Sequence, residues 1–324
     1  MIRFKDIVPY FIALSLLGWV AWIILSEKEA ILLLNRLTVG NIGVSILIAA
    51  ILYFINGEQI RFLVKRSSGI VMKRSDSLIL PASMNLWSYI FPVRGGLLFS
   101  MFYIKTKYNV KLSQGFSIGL FTFILSTSIA GGFGLYLGIT NNQIISYFSL
   151  ISLLLLLSPV FTFLSSGLLK KLLSIELGFF NTIMKIVHKT LSEFNEHIKD
   201  VRSTAFIVGS IFLSISVYIF WVYWAVNSFG MNLKMTSVIL LAIVLRLSVI
   251  ARFIPGNLGV QELLSGAAFQ IVGENPMNGI LVALFIRLCA LSLGIAFGIY
   301  SFIANIEEFK SFSFTELWVK FKNY

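Results

Sequence analysis

The chain has 324 residues, of which 57% are apolar and 12% are charged, whereas soluble domains carry about 45–50% apolar and about 25% charged residues. This composition excludes a water-soluble globular protein. The net charge of +12 would suggest a nucleic-acid partner in a soluble protein, but apolar runs of about 20 residues recur along the chain, and each can cross a bilayer. We therefore expect an all-α, polytopic helical membrane protein that forms a single transmembrane domain over 1–324 and binds no nucleic acid.

Six apolar segments have the length of full membrane spans. They are 7–25, 39–55, 113–138, 144–168, 204–226 and 279–303. Two further regions are interrupted near the middle by Pro and Gly, namely 76–110 by Phe91-Pro92-Val93-Arg94-Gly95-Gly96 and 236–273 by Ile254-Pro255-Gly256-Asn257-Leu258-Gly259. Since Pro removes a backbone donor and Gly admits positive φ, each region predicts two short helices joined by a non-helical turn, either as a re-entrant hairpin or as two tilted spans. At membrane depth, irregular backbone is tolerated only where protein or a water-filled cavity satisfies it.

The two breaks indicate an internal duplication. Moving Pro92 onto Pro255 also moves the spans on either side of the first break onto the spans on either side of the second. A unit of span, broken hairpin and span therefore occurs twice, at about 39–138 and 204–303. Span 144–168 lies between the units, so the second unit starts on the opposite side of the membrane and the repeat is predicted to be inverted.

The positions of Lys and Arg predict the orientation. Most of them fall in connecting segments that share one side of the membrane, whereas those on the other side are Lys28, Arg36 and Lys234. Because cytoplasmic loops collect positive charge, we expect both termini in the cytoplasm. The long inner connection has apolar residues at alternating spacings of three and four, which predicts an amphipathic helix at about 175–200 that lies in the interface or packs under the bundle.

Ionisable side chains inside apolar segments are candidate site residues, because each costs about 2.5–3.5 kcal/mol to insert. Five qualify: Arg94, Arg246, Arg252, Glu262 and Arg287. Four cations and one carboxylate leave an excess of positive charge that a phosphate or carboxylate ligand would neutralise. Helices that start after Gly95-Gly96 or Gly256 would direct free N–H groups towards the same ligand. The structural alternative is that Glu262 pairs with Arg252 or Arg287, and that Arg246 extends to the membrane surface.

The sequence gives no support for catalysis or metal binding. It contains no Walker A loop, no H-E-x-x-H, no Rossmann fingerprint and no G-x-S-x-G elbow. The two histidines, His188 and His197, would lie on opposite faces of the amphipathic helix, where they could not share a metal. We therefore expect no catalytic residue, no metal and no cofactor.

Several short sequences resemble those of one known family. They are Gln59-Ile60-Arg61-Phe62-Leu63, Asn85 followed by Phe91-Pro92-Val93-Arg94-Gly95, and Pro255-Gly256-Asn257-Leu258-Gly259-Val260-Gln261-Glu262 with Arg287 downstream. Over nearly its whole length the chain resembles the flippase-like family named for the transmembrane region of lysylphosphatidylglycerol synthases. It carries Gly96 and Phe99 where that family often has Glu and Arg.

The resemblance implies a bacterial or archaeal inner-membrane protein that moves a lipid headgroup between leaflets. The lipid would be an aminoacylated, anionic, polyprenyl-linked or glycosylated one. Only a short segment follows the last span, so we expect a partner glycosyltransferase or aminoacyltransferase to make the lipid. The expected lipid-binding residues are Asn85, Arg94, Arg252, Gly256, Glu262 and Arg287.

Other functions remain open from the sequence. A membrane enzyme, or enzyme subunit, acting on a polyprenyl-phosphate-linked sugar would need a carboxylate base, for which Glu262 is the intramembrane candidate. A small-solute transporter would be expected to carry more intramembrane acids as proton carriers. A scaffold without transport activity is the third alternative.

Overall fold

The computed structural model describes residues 32–90, 95–140, 201–248 and 255–304, together with a few single positions. Within these ranges the secondary structure is helical and contains no strand. Most of the predicted spans 7–25 and 144–168, and all of the amphipathic helix at about 175–200, lie outside the described residues. Most of the first predicted break, with Arg94, and the segment 249–254 before and at the start of the second break, with Arg252, also lie outside them.

Each half of the described chain consists of a long helix, two short helices and a second long helix, in that order. In chain order they are α1 (Val39–Ser68), α2 (Asp76–Ile90), α3 (Gly95–Tyr108), α4 (Leu112–Thr140), α5 (Val201–Ser228), α6 (Met235–Leu247), α7 (Val260–Ile271) and α8 (Pro276–Ala304), with a 3-10 turn at Pro255–Asn257 before α7. Four of them, α1, α4, α5 and α8, are long and apolar enough to cross a membrane. The short helices fill the two regions that the sequence predicted to be broken.

The long helices expose large apolar side chains on the outside of the bundle. Examples are Leu47 and Phe54 of α1, Leu213 and Phe220 of α5, and Ile299 and Tyr300 of α8. Contiguous exposed apolar surface is unusual in a soluble protein and is expected where helices face lipid. These four helices therefore agree with the predicted spans 39–55, 113–138, 204–226 and 279–303 as elements of a multi-pass membrane protein.

Helix α1 extends well beyond its predicted apolar span of 39–55. It begins after Thr38, whose side chain accepts a hydrogen bond from the backbone N–H of Asn41 (3.2 Å), and it ends at Gly69, which has a φ of 75°. A hydropathy pattern ends where charged residues begin, here at Glu58 and Arg61, which form an ion pair of 2.6 Å. The helix itself continues until a left-handed glycine terminates it.

The first hairpin, α2 with α3, is tightly packed. A Cβ on Gly96 would lie 2.2 Å from the carbonyl oxygen of Met84, so a side chain larger than hydrogen would force these helices apart. At the opposite end of the hairpin, buried Asp76 pairs with Lys107 (3.0 Å) and accepts a hydrogen bond from the hydroxyl of Tyr108. These contacts fix α3 against the start of α2.

Each hairpin packs against the other half of the chain. Helix α2 contacts α8, and helix α6 contacts α4, while α1 runs along α5. The contact between α2 and α8 is close because Gly294 and Gly298 of α8 face Ala82 and Leu86 of α2. The two halves therefore interlock in one bundle, with both hairpins against long helices.

The described part of the second break is non-helical, as predicted. Gly256 and Gly259 have φ values of 60° and 80°, and Asn257 has a φ of 56°, a region that Gly adopts at little cost and Asn adopts more readily than most residues. The side-chain amide of Asn257 donates a hydrogen bond to the Ser248 carbonyl oxygen (2.8 Å). A Cβ on Gly256 would collide with the ring of Tyr89, so the second break lies directly against the last turn of α2.

Candidate binding site

A cavity of about 430 Å³ lies between the helices of both halves. All eight helices of the described ranges and the 3-10 turn contribute residues to its wall. Polar groups on the wall include hydroxyls of Ser100, Thr122 and Ser126 and the side-chain amides of Asn56 and Asn85. A polar cavity among lipid-facing helices can hold a hydrophilic ligand at membrane depth.

Arg287 of α8 enters this wall with its charge neutralised from behind. One guanidinium nitrogen, Nη1, lies 2.6 Å from Oε1 of Glu262 in the first turn of α7. The Glu262 side chain is 0% exposed, whereas Arg287 lines the cavity and Glu262 does not. The two residues of the ion pair therefore differ in position: the guanidinium of Arg287 lies at the cavity wall, and the carboxylate of Glu262 is buried behind it.

The remaining contacts of Arg287 hold the second break. Its Nη2 donates to the backbone carbonyl of Asn257 (3.1 Å) and to Oε1 of Gln261 (2.8 Å). Its guanidinium carbon also lies 5.9 Å from the centre of the Tyr89 ring at the end of α2. One side chain of α8 thus contacts the second break, the helix after it and the first hairpin.

Arg246 of α6 is a second cation on the cavity wall. Its Nη2 donates to Oγ of Ser214 (3.0 Å) and lies 3.5 Å from Oγ of Ser126, and its guanidinium carbon is 5.7 Å from the centre of the Tyr218 ring. Ser214 in turn donates to Oδ1 of Asn56 (3.2 Å). The expectation that Arg246 extends to the membrane surface is wrong, because serines of α4 and α5 hold its guanidinium inside the bundle.

Two further donors on the wall have no acceptor among the described residues. They are Nε2 of Gln59 and Nε1 of Trp221, both in buried side chains that line the cavity. A buried donor without an acceptor costs free energy, about 1–3 kcal/mol. On the described wall, donors without a partner therefore outnumber acceptors without one, such as Oδ1 of Asn257, which favours a ligand with acceptor oxygens.

Asn85 links the cavity wall to the helices around it. Its side-chain amide donates to the hydroxyl of Tyr53, and that hydroxyl donates to the carbonyl oxygen of Ala290 (3.1 Å). Asn85, Tyr53 and Ala290 all line the cavity, from α2, α1 and α8 respectively. This neutral chain of hydrogen bonds joins three helices on the side of the first hairpin.

The structure brings together most of the site residues that the sequence predicted and that it describes. Asn85, Gly256 and Arg287 line the same cavity, and Glu262 pairs with Arg287, one of the two partners that the sequence allowed. Arg94 and Arg252 lie outside the described residues. Arg246 was one of the five ionisable candidates from the sequence but was not among the expected lipid-binding residues. The sequence signal for this residue is that it is the charged residue of the apolar helix 235–247. Serines deep in two neighbouring spans are a second, weaker signal.

The chemistry of the described wall suits binding better than a metal centre. Within 32–90, 95–140, 201–248 and 255–304, no group of three or more His, Cys, Asp or Glu residues could hold a metal ion. The carboxylate nearest the wall, Glu262, is occupied by Arg287. The arrangement of two arginines with hydroxyl and amide groups is typical of anion recognition.

Comparison with known families decides where the chain belongs. Residues 10–298 match the family described as the lysylphosphatidylglycerol synthase TM region. The chain belongs to this family. No curated protein and no solved structure shows a significant match. Membership in a membrane-protein family, together with the four long apolar helices, makes the chain a multi-pass membrane protein.

Proposed function

We propose that this member of the family is a lipid translocase that moves an anionic phospholipid, or a polyprenyl-linked or glycosylated lipid, between leaflets. The observation that carries the proposal is the polar cavity with Arg246 and Arg287 on its wall, enclosed by helices with apolar outer surfaces. A lipid headgroup would enter the cavity while its acyl or prenyl chains stay in the bilayer. Arginine suits the phosphate because its planar fork can hold two phosphate oxygens.

An inverted repeat would supply the conformational change. The packing of α2 against α8 is matched by the packing of α6 against α4, so the first helix of each hairpin contacts the last long helix of the other half. In transporters built from inverted repeats, rocking of one unit against the other exposes a central site alternately to the two sides. The position of Gly256 against Tyr89 supports this proposal, because the second break and the first hairpin meet beside the cavity.

The two breaks would complete the headgroup site. Arg94 lies in the first break and Arg252 just before the second in the sequence, and we propose that they bind the phosphate together with Arg287. Glu262 would balance the charge of Arg287 between transport steps, from its buried position behind the wall. Asn85 would donate to the polar part of the headgroup.

Leaflet exchange in reconstituted vesicles tests the proposal. Thr122→Phe would fill the cavity from α4, where the native hydroxyl bonds only to backbone carbonyls of its own helix (3.0 and 3.1 Å). We expect wild-type protein to move fluorescent phosphatidylglycerol between leaflets and Thr122→Phe to lose most of that activity. Scoring chemical change of the lipid separately distinguishes a translocase from an enzyme. No exchange by folded wild-type protein, with any lipid class named above, would reject the proposal.

Ser216→Phe is the matched control for the filled cavity. Ser216 also bonds to a carbonyl of its own helix, that of Phe212 (2.9 Å), but it lies on the exposed face of α5. The same added ring would there project into lipid, so we expect near-normal exchange. Equal activity of the two variants would show that the cavity is not the pathway.

The proposed placement in an inner membrane, with cytoplasmic termini, has its own test. It puts the segment 227–235 outside and the connection between α3 and α4 inside. A cysteine at Asn232 should react with an impermeant thiol reagent in intact cells, and one at Lys111 should not. Both positions are exposed, and the native Cys289 is buried, so background labelling is expected to be low. The reverse labelling would contradict the proposed orientation.

A further inference from the structure

Arg246 holds a positive charge on the cavity wall that no described carboxylate neutralises. In the described ranges, the ion pairs of buried or partly buried groups join Arg61 to Glu58, Lys107 to Asp76 and Arg287 to Glu262. Arg246 instead contacts two hydroxyls and an aromatic ring. An uncompensated guanidinium in an apolar helix is costly, and a bound anion would remove that cost.

The geometry leaves room for such an anion beside Arg246. A guanidinium has five N–H donors, and the described contacts engage Nη2 with Ser214 Oγ at 3.0 Å, while the contacts to Ser126 Oγ and to the Ser214 carbonyl are long, at 3.5 Å each. The hydroxyl of Ser126, which lines the cavity, can also donate to an oxyanion, whereas that of Ser214 already donates to Asn56. Trp221, one turn beyond Tyr218 on α5, adds an indole N–H without an acceptor among the described residues.

We propose that Arg246, with Ser126, forms a phosphate subsite, and that the headgroup bound there is a phosphate diester with uncharged, hydroxyl-bearing substituents such as glycerol or a sugar. The identification of the ligand as a lipid rests on the proposed translocase function. The phosphate oxygens accept from Arg246 and from the hydroxyl of Ser126. Substituent hydroxyls then meet the neutral amides elsewhere on the wall, among them Asn257, whose buried Oδ1 has no donor within the described chain.

The same wall disfavours a cationic, aminoacylated headgroup. Its described residues include two arginines and no Asp or Glu. A lysyl ammonium would meet cations without a carboxylate partner, since Glu262 is buried behind Arg287. Like charges in a poorly solvated site select against such a ligand.

Binding to the full-length protein in an uncharged detergent tests the subsite. Short-chain phosphatidylglycerol is titrated by calorimetry, beside lysyl-phosphatidylglycerol and soluble glycerol phosphate. We expect Arg246→Gln to weaken phosphatidylglycerol binding by about tenfold or more, the loss of one charge-assisted contact. Lys234→Gln, which makes the same charge change at the exposed start of α6, should bind as wild type does.

A second variant covers the case in which Arg246→Gln does not fold. Ser126→Asp places a carboxylate beside Nη2 of Arg246 and neutralises it within the protein. It should remain folded and should also lose phosphatidylglycerol binding. Wild-type affinity in a folded Arg246→Gln or Ser126→Asp protein would overturn the subsite.

The remaining arms decide the ligand class and separate this proposal from the translocase function. Equal affinity for lysyl-phosphatidylglycerol would overturn the exclusion of cationic headgroups. Equal affinity for glycerol phosphate would assign the subsite to a free phosphate ester and overturn the lipid part. Binding through Arg246 without leaflet exchange would keep the subsite and reject the translocase, whereas exchange with Arg246-independent binding would do the reverse.

Discussion

The two halves of the described chain place different kinds of side chain at corresponding buried positions. When Pro92 is moved onto Pro255, Glu262 falls on Phe99 and Arg287 falls on Ile124. Phe99 and Ile124 are both buried apolar residues, and Phe99 stacks on Trp87 with ring centres 5.3 Å apart. In the first half, buried apolar side chains therefore occupy the positions that correspond to the buried ion pair of the second half.

The comparison teaches that helix packing at this place does not require charge. Buried ion pairs often contribute no more than well-packed apolar side chains, because desolvation offsets their attraction. The Glu262–Arg287 pair is then explained by the cavity, at which Arg287 presents donors, and by the second break, which Arg287 holds through Asn257. Three predictions test how far this difference between the halves extends.

The largest expected effect is that of removing one partner of the ion pair. Glu262→Gln should lower the free energy of unfolding by about 3–5 kcal/mol, because Arg287 would be left buried without its carboxylate. Thermal unfolding in detergent, with expression level as a second measure, checks it. Glu274→Gln removes an exposed carboxylate just beyond the end of the same helix and should leave stability unchanged.

Replacing both partners sharpens the same prediction. Glu262→Leu combined with Arg287→Leu gives the second half the apolar character of Phe99 and Ile124, and most of the lost stability should return. We expect this double variant to show no leaflet exchange, because the cavity wall has lost Arg287. If the Glu262→Gln single variant had wild-type stability, the ion pair would not be needed for the stability of the second half. The two halves would then not differ in what stabilises their packing.

The second effect concerns the close contact that holds the first hairpin. Gly96→Ala should cost about 1–3 kcal/mol, the usual range for overpacking, because the added Cβ would lie 2.2 Å from the backbone oxygen of Met84 and 2.3 Å from Oγ of Ser88. The measurement is the unfolding temperature. Gly209→Ala on α5, where a Cβ meets nothing within 4 Å, should be neutral or stabilising. An equal response at both glycines would contradict the tight packing of α2 and α3.

The sequence could predict the elements better than their neighbours in space. Apolar run length located the four described spans, and Pro and Gly located the breaks, since both signals are local. It allowed Glu262 two arginine partners, and only the packing of α8 against α7 selects Arg287. The sequence could not decide whether Arg246 extends to the membrane surface, because it does not show that Ser126 and Ser214, from two other helices, face the guanidinium.

The smallest expected effect tests the neutral hydrogen bonds by which Tyr53 joins α1 to Asn85 of α2 and to Ala290 of α8. Tyr53→Phe removes the hydroxyl that accepts from Asn85 and donates to the Ala290 carbonyl, and a neutral hydrogen bond contributes about 1 kcal/mol. We expect a loss of that order in the free energy of unfolding, well below the loss in Glu262→Gln. Tyr223→Phe, at an exposed position on α5, controls for the substitution itself and should be silent. A Tyr53→Phe loss as large as that of Glu262→Gln would contradict this prediction. The neutral hydrogen bonds of Tyr53 would then contribute as much to stability as the buried ion pair, and the two halves would not differ in the strength of their polar contacts.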